Sequence, residues 1–186
     1  KDGKPPRRIP RLDKSSAQEL VNRLADSNGI IRDMAHRLMV QRKDVSATEA
    51  LVEMAQTHAS AKARLHALCA LDGLDQLSAT LLKTTFHDPH PELRRHALRL
   101  AESRWGEHPE LLKASVRLTD DPHAAVRLQA ACSWGESKSE VAGHALAKVA
   151  IRDAGNQYIR AAAFSSAEPH FDRLAQATLE HGVLID

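Results

Sequence analysis

The chain has 186 residues, 42% of them hydrophobic and 27% charged, with only 8 Gly and 8 Pro, which excludes a disordered chain. Its formal net charge is +2 before its 11 histidines are counted, milder than the concentrated basic face of most nucleic-acid binders. No apolar run approaches the roughly 20 residues that cross a bilayer.

In chain order, residues 1–14 come first. Lys1 to Arg11 is rich in Lys, Arg and Pro and carries no helical stripe, so residues 1–14 are expected to form a basic, Pro-rich linker. The start at Lys1, without Met or signal peptide, reads as that of a piece of a longer protein. Residues 15–186 read as one repeat domain. Ser15 or Ser16 caps a helix carrying Leu20, Val21 and Leu24; after the turn Asp26-Ser27-Asn28-Gly29 a second helix carries Ile31, Met34, Ala35, Leu38 and Met39. Spacings of three and four put one apolar stripe on each helix. The pattern recurs. Leu51, Met54 and Ala55 precede Leu65, Leu68 and Leu71; Leu77, Leu81, Leu82 and Phe86 precede Leu93, Ala97, Leu100 and Ala101. Leu111, Leu112 and Val116 precede Val126, Ala130, Ala131 and Trp134; Val141, Leu146, Val149 and Ala150 precede Ile159, Ala162 and Ala163. A last helix, about Pro169 to Glu180, carries Phe171, Leu174 and Leu179 and is expected to cap the series.

The second helix of each pair carries R-x-x-A, at Arg32/Ala35, Arg64/Ala67, Arg94/Ala97, Arg127/Ala130 and Arg160/Ala163, with Arg-to-Arg steps of 32, 30, 33 and 33 residues. A period this constant marks a repeat, and one shorter than about 40 marks compact two-helix units. Asp88-Pro89 and Asp121-Pro122 stand at the junctions, where Pro ends one helix and starts the next while Asp caps free N–H groups. Asp26, Asp88 and Asp121 lie six residues before their repeat Arg; Asp153 lies seven before, and the second unit has His58. This predicts an Asp–Arg ladder, each Arg bonding a turn Asp of its own or the next unit, with the repeat Ala allowing close helix approach. One hairpin cannot bury both faces, so the units must stack. The predicted fold class is all-α: a right-handed α-α superhelix, HEAT-like or armadillo-type, of about five two-helix repeats plus the capping helix.

Chemistry is sparse. The chain has no Gly-rich phosphate loop, no H-E-x-x-H and no G-x-S-x-G. Cys69 and Cys132 have no neighbouring Cys and read as buried small hydrophobes rather than metal ligands. His87, His90, His96 and His108 cluster around the third turn, but the spacing is not that of a helical ligand pair, so surface or capping roles are expected. Arg94, Arg95, Arg99 and Arg104 form a basic run interleaved with Glu92 and Glu102. Arg95, Arg99 and Arg104 are the candidate basic binding face, weighed against a solvated, salt-bridged one. No catalytic, cofactor-binding or metal-ligating residue is assigned.

Five stretches carry a resemblance: Leu24-Ala-Asp-Ser-Asn28-Gly-Ile-Ile-Arg32-Asp-Met-Ala35-His-Arg37-Leu38, Ala63-Arg-Leu-His-Ala-Leu-Cys-Ala-Leu-Asp-Gly-Leu74, Asp88-Pro-His-Pro-Glu-Leu-Arg94, Val126-Arg-Leu-Gln-Ala130 with Gly135-Glu136, and Ile159-Arg-Ala-Ala-Ala-Phe-Ser-Ser166. Here the sequence resembles the HEAT-repeat region of large PVC-type haem-binding proteins, often labelled membrane-bound dehydrogenases, of planctomycete and verrucomicrobial bacteria. Ile30 or Ile31 and Cys69 replace aromatics of that family, and its haem-attachment motif C-x-x-C-H is absent. The resemblance implies a non-catalytic scaffold between a propeller-type dehydrogenase domain and a cytochrome c domain, outside the cytoplasm. It also implies no cofactor in this stretch, and neighbouring domains of the same chain as the protein partners. Nucleic acid and membrane insertion are not expected of this stretch. The alternative function is a nucleic-acid-binding module on a HEAT-like scaffold resembling certain DNA glycosylases. A third reading, an enzyme resembling the bilin lyases with similar short repeats, has no nucleophile to name.

Overall fold

The computed structural model describes residues 10–181; the expected linker residues 1–9 lie outside the described residues. Among the described residues there are eleven α-helices and no strand, so the fold is all-α. Its contacts divide the chain into two compact units, residues 1–77 and 78–186.

In the first unit, α1 (Ala17–Arg23) and α2 (Gly29–Arg42) form one hairpin, and α3 (Thr48–Thr57) and α4 (Ala61–Gly73) the next. Like helices stack, α1 on α3 and α2 on α4. Local chemistry sets the starts. The Ser16 hydroxyl accepts the Glu19 N–H while the Glu19 carboxylate accepts the Ser16 N–H, a capping box. Asn28 caps α2 through the Ile30 N–H, and Ser60 caps α4. Lys43 ends α2 in the left-handed region at φ 52°. Just before α1, Leu12–Lys14 form a single 3-10 turn with Leu12 buried. Arg42 secures that turn by donating to the carbonyls of Asp13 and Ser15, each at 2.7 Å.

The second unit runs α5 (Ala79–Thr85), α6 (Pro91–Ala101), α7 (Pro109–Ser115), α8 (Ala124–Gly135), α9 (Glu140–Arg152), α10 (Gln157–Ser165) and α11 (Phe171–His181). Two rows alternate: α5, α7, α9 and α11 pack in order along one, and α6, α8 and α10 along the other. Pro91 and Pro109 sit in the first turns of α6 and α7, where no N–H is needed. Helix α7 is shorter than the sequence suggests, because Val116–Asp120 tighten into 3-10 turns. Two glycines permit close approach. A Cβ on Gly135 would lie 2.5 Å from that of Ser166, and one on Gly143 would meet His170 Nδ1 at 2.9 Å. His170 is buried and lies 3.2 Å from the Trp134 carbonyl, tying the turn before α11 to the end of α8.

The repeat alanines, Ala35, Ala67, Ala97, Ala130 and Ala163, are all buried, as are the stripe leucines Leu20, Leu51, Leu68, Leu82, Leu93 and Leu111. Trp134 is the largest fully buried side chain, and its indole N–H donates to Ser115 Oγ at 3.0 Å. Several expected core positions are not core. Cys132 is exposed and Cys69 only half-buried, because the helical period turns position 132 away from the face that carries Arg127, Ala130, Ala131 and Trp134. Met34 on α2 and Phe171 and Leu179 on α11 are also exposed, leaving Leu174 as the buried anchor of α11.

Candidate functional site

The repeat arginines hold the most organised polar chemistry in the molecule. All five point a guanidinium back to the turn before their own helix. Nη1 donates to the carbonyl six residues earlier: Arg32 to Asp26 at 2.7 Å, Arg64 to His58 at 2.8 Å, Arg94 to Asp88 at 2.8 Å, Arg127 to Asp121 at 2.7 Å and Arg160 to Ala154 at 3.2 Å. These carbonyls precede a helix start and have no partner within that helix, so the arginine replaces water there.

The other edge of the guanidinium reaches the next hairpin. Arg94 donates through Nε and Nη2 to both oxygens of Asp121, at 2.6 and 2.8 Å, and Arg127 does the same to Asp153 at 2.7 and 2.6 Å. Both forks are about nine-tenths buried, and the planar fork matches the carboxylate geometry. Burial alone would raise the Asp121 carboxyl, but the Arg94 fork and the His123 N–H outweigh it and hold it below the usual carboxylate range. The Asp side chains also shape their turns. Asp26, Asp88 and Asp121 each accept the N–H two residues on, from Asn28, His90 and His123. Each turn of unit 2 with Asp121 or Asp153 therefore offers a carbonyl or carboxylate to two arginine edges at once.

At Arg32 the second edge differs. Arg32 Nε donates to His66 Nε2 at 3.2 Å, in place of a carboxylate. His66 meets His36 edge-on, ring centroids 6.3 Å apart. Burial lowers the pKa of both imidazoles, the Arg32 charge lowers that of His66 further, and Asp33 opposes the shift in both. A group whose folded pKa is depressed binds fewer protons than in the unfolded chain. Stability is then complete above the unfolded value near 6.5 and is lost as pH falls below it. Protonation of Nε2 also removes the acceptor that Arg32 uses. Wild type is expected to lose more stability than His66→Gln between about pH 7.5 and about pH 5. Urea unfolding followed by circular dichroism checks this, and parallel losses in the two proteins would disprove it.

The basic run is dispersed in its roles. Arg95 pairs with Glu92 at 2.6 Å, one turn away on α6, and Arg99 is exposed. Arg104 folds back to donate to the Leu100 carbonyl at 2.7 Å. Among the histidines of the third turn, His90 caps α6 by accepting the Glu92 N–H, and His108 pairs with Glu110 at 3.2 Å. His96 is half-buried with its pKa lowered by burial. Among the described residues no group of three or more His, Cys, Asp or Glu side chains could hold a metal ion.

Glu102 was not singled out in the sequence. Its half-buried carboxylate, after α6, accepts from Ser133 Oγ and from Gln129 Nε2 of α8, and burial raises its pKa. Its place in an Arg/Glu-interleaved run hid it, because only packing against α8 separates it from the solvated acids. It ties the end of α6 to α8. On the outer side of α9, Lys148 and Arg152 both pair with Asp120.

Residues 78–168 match the family model for HEAT repeats. No curated protein matches the chain. The matched stretch covers the helices from α5 through α10, including both arginine forks.

Proposed function

We propose that this chain is a non-catalytic helical-repeat scaffold that binds protein, and that within a larger extracytoplasmic redox protein it joins a propeller-type dehydrogenase domain to a cytochrome c domain. The scaffold reading is carried by one observation: Arg94, Arg127, Asp121 and Asp153, the best-organised charges, bond to one another between hairpins. Groups so committed position helices rather than substrate. The likeness of residues 78–168 to HEAT repeats points the same way. The spacer role, the extracytoplasmic location and a chain free of its own cofactor are supported by the sequence resemblance to the PVC-type proteins.

A reduced-minus-oxidised absorbance spectrum of the intact parent protein tests the spacer role. A c-type haem band is expected. Its absence would end that reading and leave a protein-binding scaffold alone. Among the described residues no helix is long and apolar enough to cross a membrane.

A further inference from the structure

An Asn-Gly step opens α2. Ser27 and Asn28 are exposed and Gly29 is half-buried. Asn28 caps α2 by accepting the Ile30 N–H at Oδ1, while its own N–H donates to the Asp26 carboxylate at 2.9 Å. The chain has two other asparagines. Asn22 lies inside α1. Asn156 also caps a helix, α10, but it holds two N–H groups, those of Tyr158 and Ile159, and Gln157 follows it. The same kind of cap thus stands once before Gly and once before a bulky residue.

The Gly29 nitrogen is placed to act as a nucleophile. It carries the first N–H of α2, and the first N–H groups of a helix have no partner within it. Two fields favour its deprotonated, attacking form: the positive end of the α2 dipole, and the Arg32 guanidinium, whose Nη2 would stand 3.4 Å from a Cβ on Gly29. Gly29 has no Cβ, which leaves its nitrogen open to the Asn28 side chain. Closing a five-membered ring needs Gly29 N eclipsed with Asn28 Cβ, which a ψ of 117° does not give. The step therefore passes through opening of the first turn of α2. Helix ends fray, and loss of one cap bond slows the step by only about tenfold.

We propose that Asn28 is a site of deamidation and isomerisation. The Gly29 nitrogen loses its proton and bonds to Asn28 Cγ, the carboxamide nitrogen leaves as ammonia, and a succinimide closes. Water then opens the ring. Attack at Cγ breaks the new bond and gives aspartate; attack at the backbone carbonyl carbon breaks the original peptide bond and gives isoaspartate. Nothing is oxidised or reduced. The aspartate keeps the cap and adds a negative charge at the start of α2, where the helix dipole favours it. The isoaspartate runs the backbone through Cβ and Cγ, one methylene longer, and separates the turn from the helix. It costs the bond to the Ile30 N–H and displaces the Asp26 and Ser27 carbonyls, which take Arg32 Nη1 at 2.7 and 3.2 Å. The proposal goes beyond the scaffold reading by placing a covalent change in the first hairpin.

The test incubates the full chain for days at neutral pH and body temperature and digests samples with trypsin, a zero-time digest setting the background. The peptides Leu24–Arg32 and Asp153–Arg160 report the two caps. Mass spectrometry should show NH2 exchanged for OH in Leu24–Arg32, and an isoaspartyl methyltransferase should label that peptide. Conversion of Asp153–Arg160 should be at least about tenfold slower. Gly29→Ala, whose Cβ meets the Arg32 guanidinium at ordinary contact distance, should slow conversion severalfold. Asn28→Asp should melt with wild type, and the aged fraction carrying isoaspartate should melt lower. Equal rates for the two peptides, a Gly29→Ala rate equal to wild type, or conversion confined to the urea-unfolded chain would each overturn the proposal. The comparison of Asn28 with Asn156 within one chain keeps the test decisive if circular dichroism shows Gly29→Ala to be misfolded.

Discussion

Trp134→Ala is expected to destabilise the second unit by about 4 kcal/mol. The side chain is fully buried between the two rows of helices. Two contributions add. The apolar surface of the indole is lost together with a cavity its neighbours close only in part. The bond from Nε1 to Ser115 Oγ is lost too, although the Ser115 hydroxyl keeps its own donation to the Leu112 carbonyl. Trp134→Phe separates them: it should retain most of the packing and lose about 1–2 kcal/mol. Denaturant unfolding of the full chain checks both. A Trp134→Ala loss below about 1 kcal/mol would mean that the rows collapse freely around the site.

Arg127→Ala is expected to cost about 3 kcal/mol. Its guanidinium closes three bonds, two to Asp153 and one to the Asp121 carbonyl, and removing it strands a carboxylate that is itself about nine-tenths buried. Most of the cost is that stranded charge, so Arg127→Ala with Asp153→Ala together should cost less than the sum of the two single changes. Arg160→Ala makes the contrast. It has the same motif position, yet among the described residues its one hydrogen bond is to the Ala154 carbonyl, so about 1 kcal/mol or less is expected. Thermal melts of the three variants decide the matter. Equal losses at Arg127 and Arg160 would show that the motif and not the fork carries the stability.

The PVC-type resemblance reaches further than the fold does. What the structure supplies toward a scaffold role is directional linkage between hairpins of the second unit. Each fork links one hairpin to the next, so the order of the hairpins is written in charge as well as in apolar surface.

Much of this was open to reading from the chain alone. The R-x-x-A period placed the second helix of every hairpin, because a repeat built of one local unit repeats its local chemistry. Leu20, Leu68, Leu93 and Trp134 were legible as core because helical periodicity is a property of neighbouring residues. The Asp-to-Arg offset pointed to paired charges, but not to the division of labour, in which the turn of the same hairpin gives a carbonyl and that of the next gives the carboxylate. Periodicity also failed where the outcome depends on a distant neighbour. Cys132 belongs to an apolar helix but faces out, and Phe171 and Leu179 fit a stripe that no described helix covers. Glu102 and Glu92 look alike in sequence, yet one is bonded by α8 and the other pairs along its own helix with Arg95. Sequence by itself determined where the helix pairs fall, how long the repeat is and where each arginine stands, since those follow from interactions within a few turns of chain. Only the tertiary structure decided which arginines find a carboxylate and which apolar faces are covered, because both are settled by the helix packed alongside, some thirty residues away.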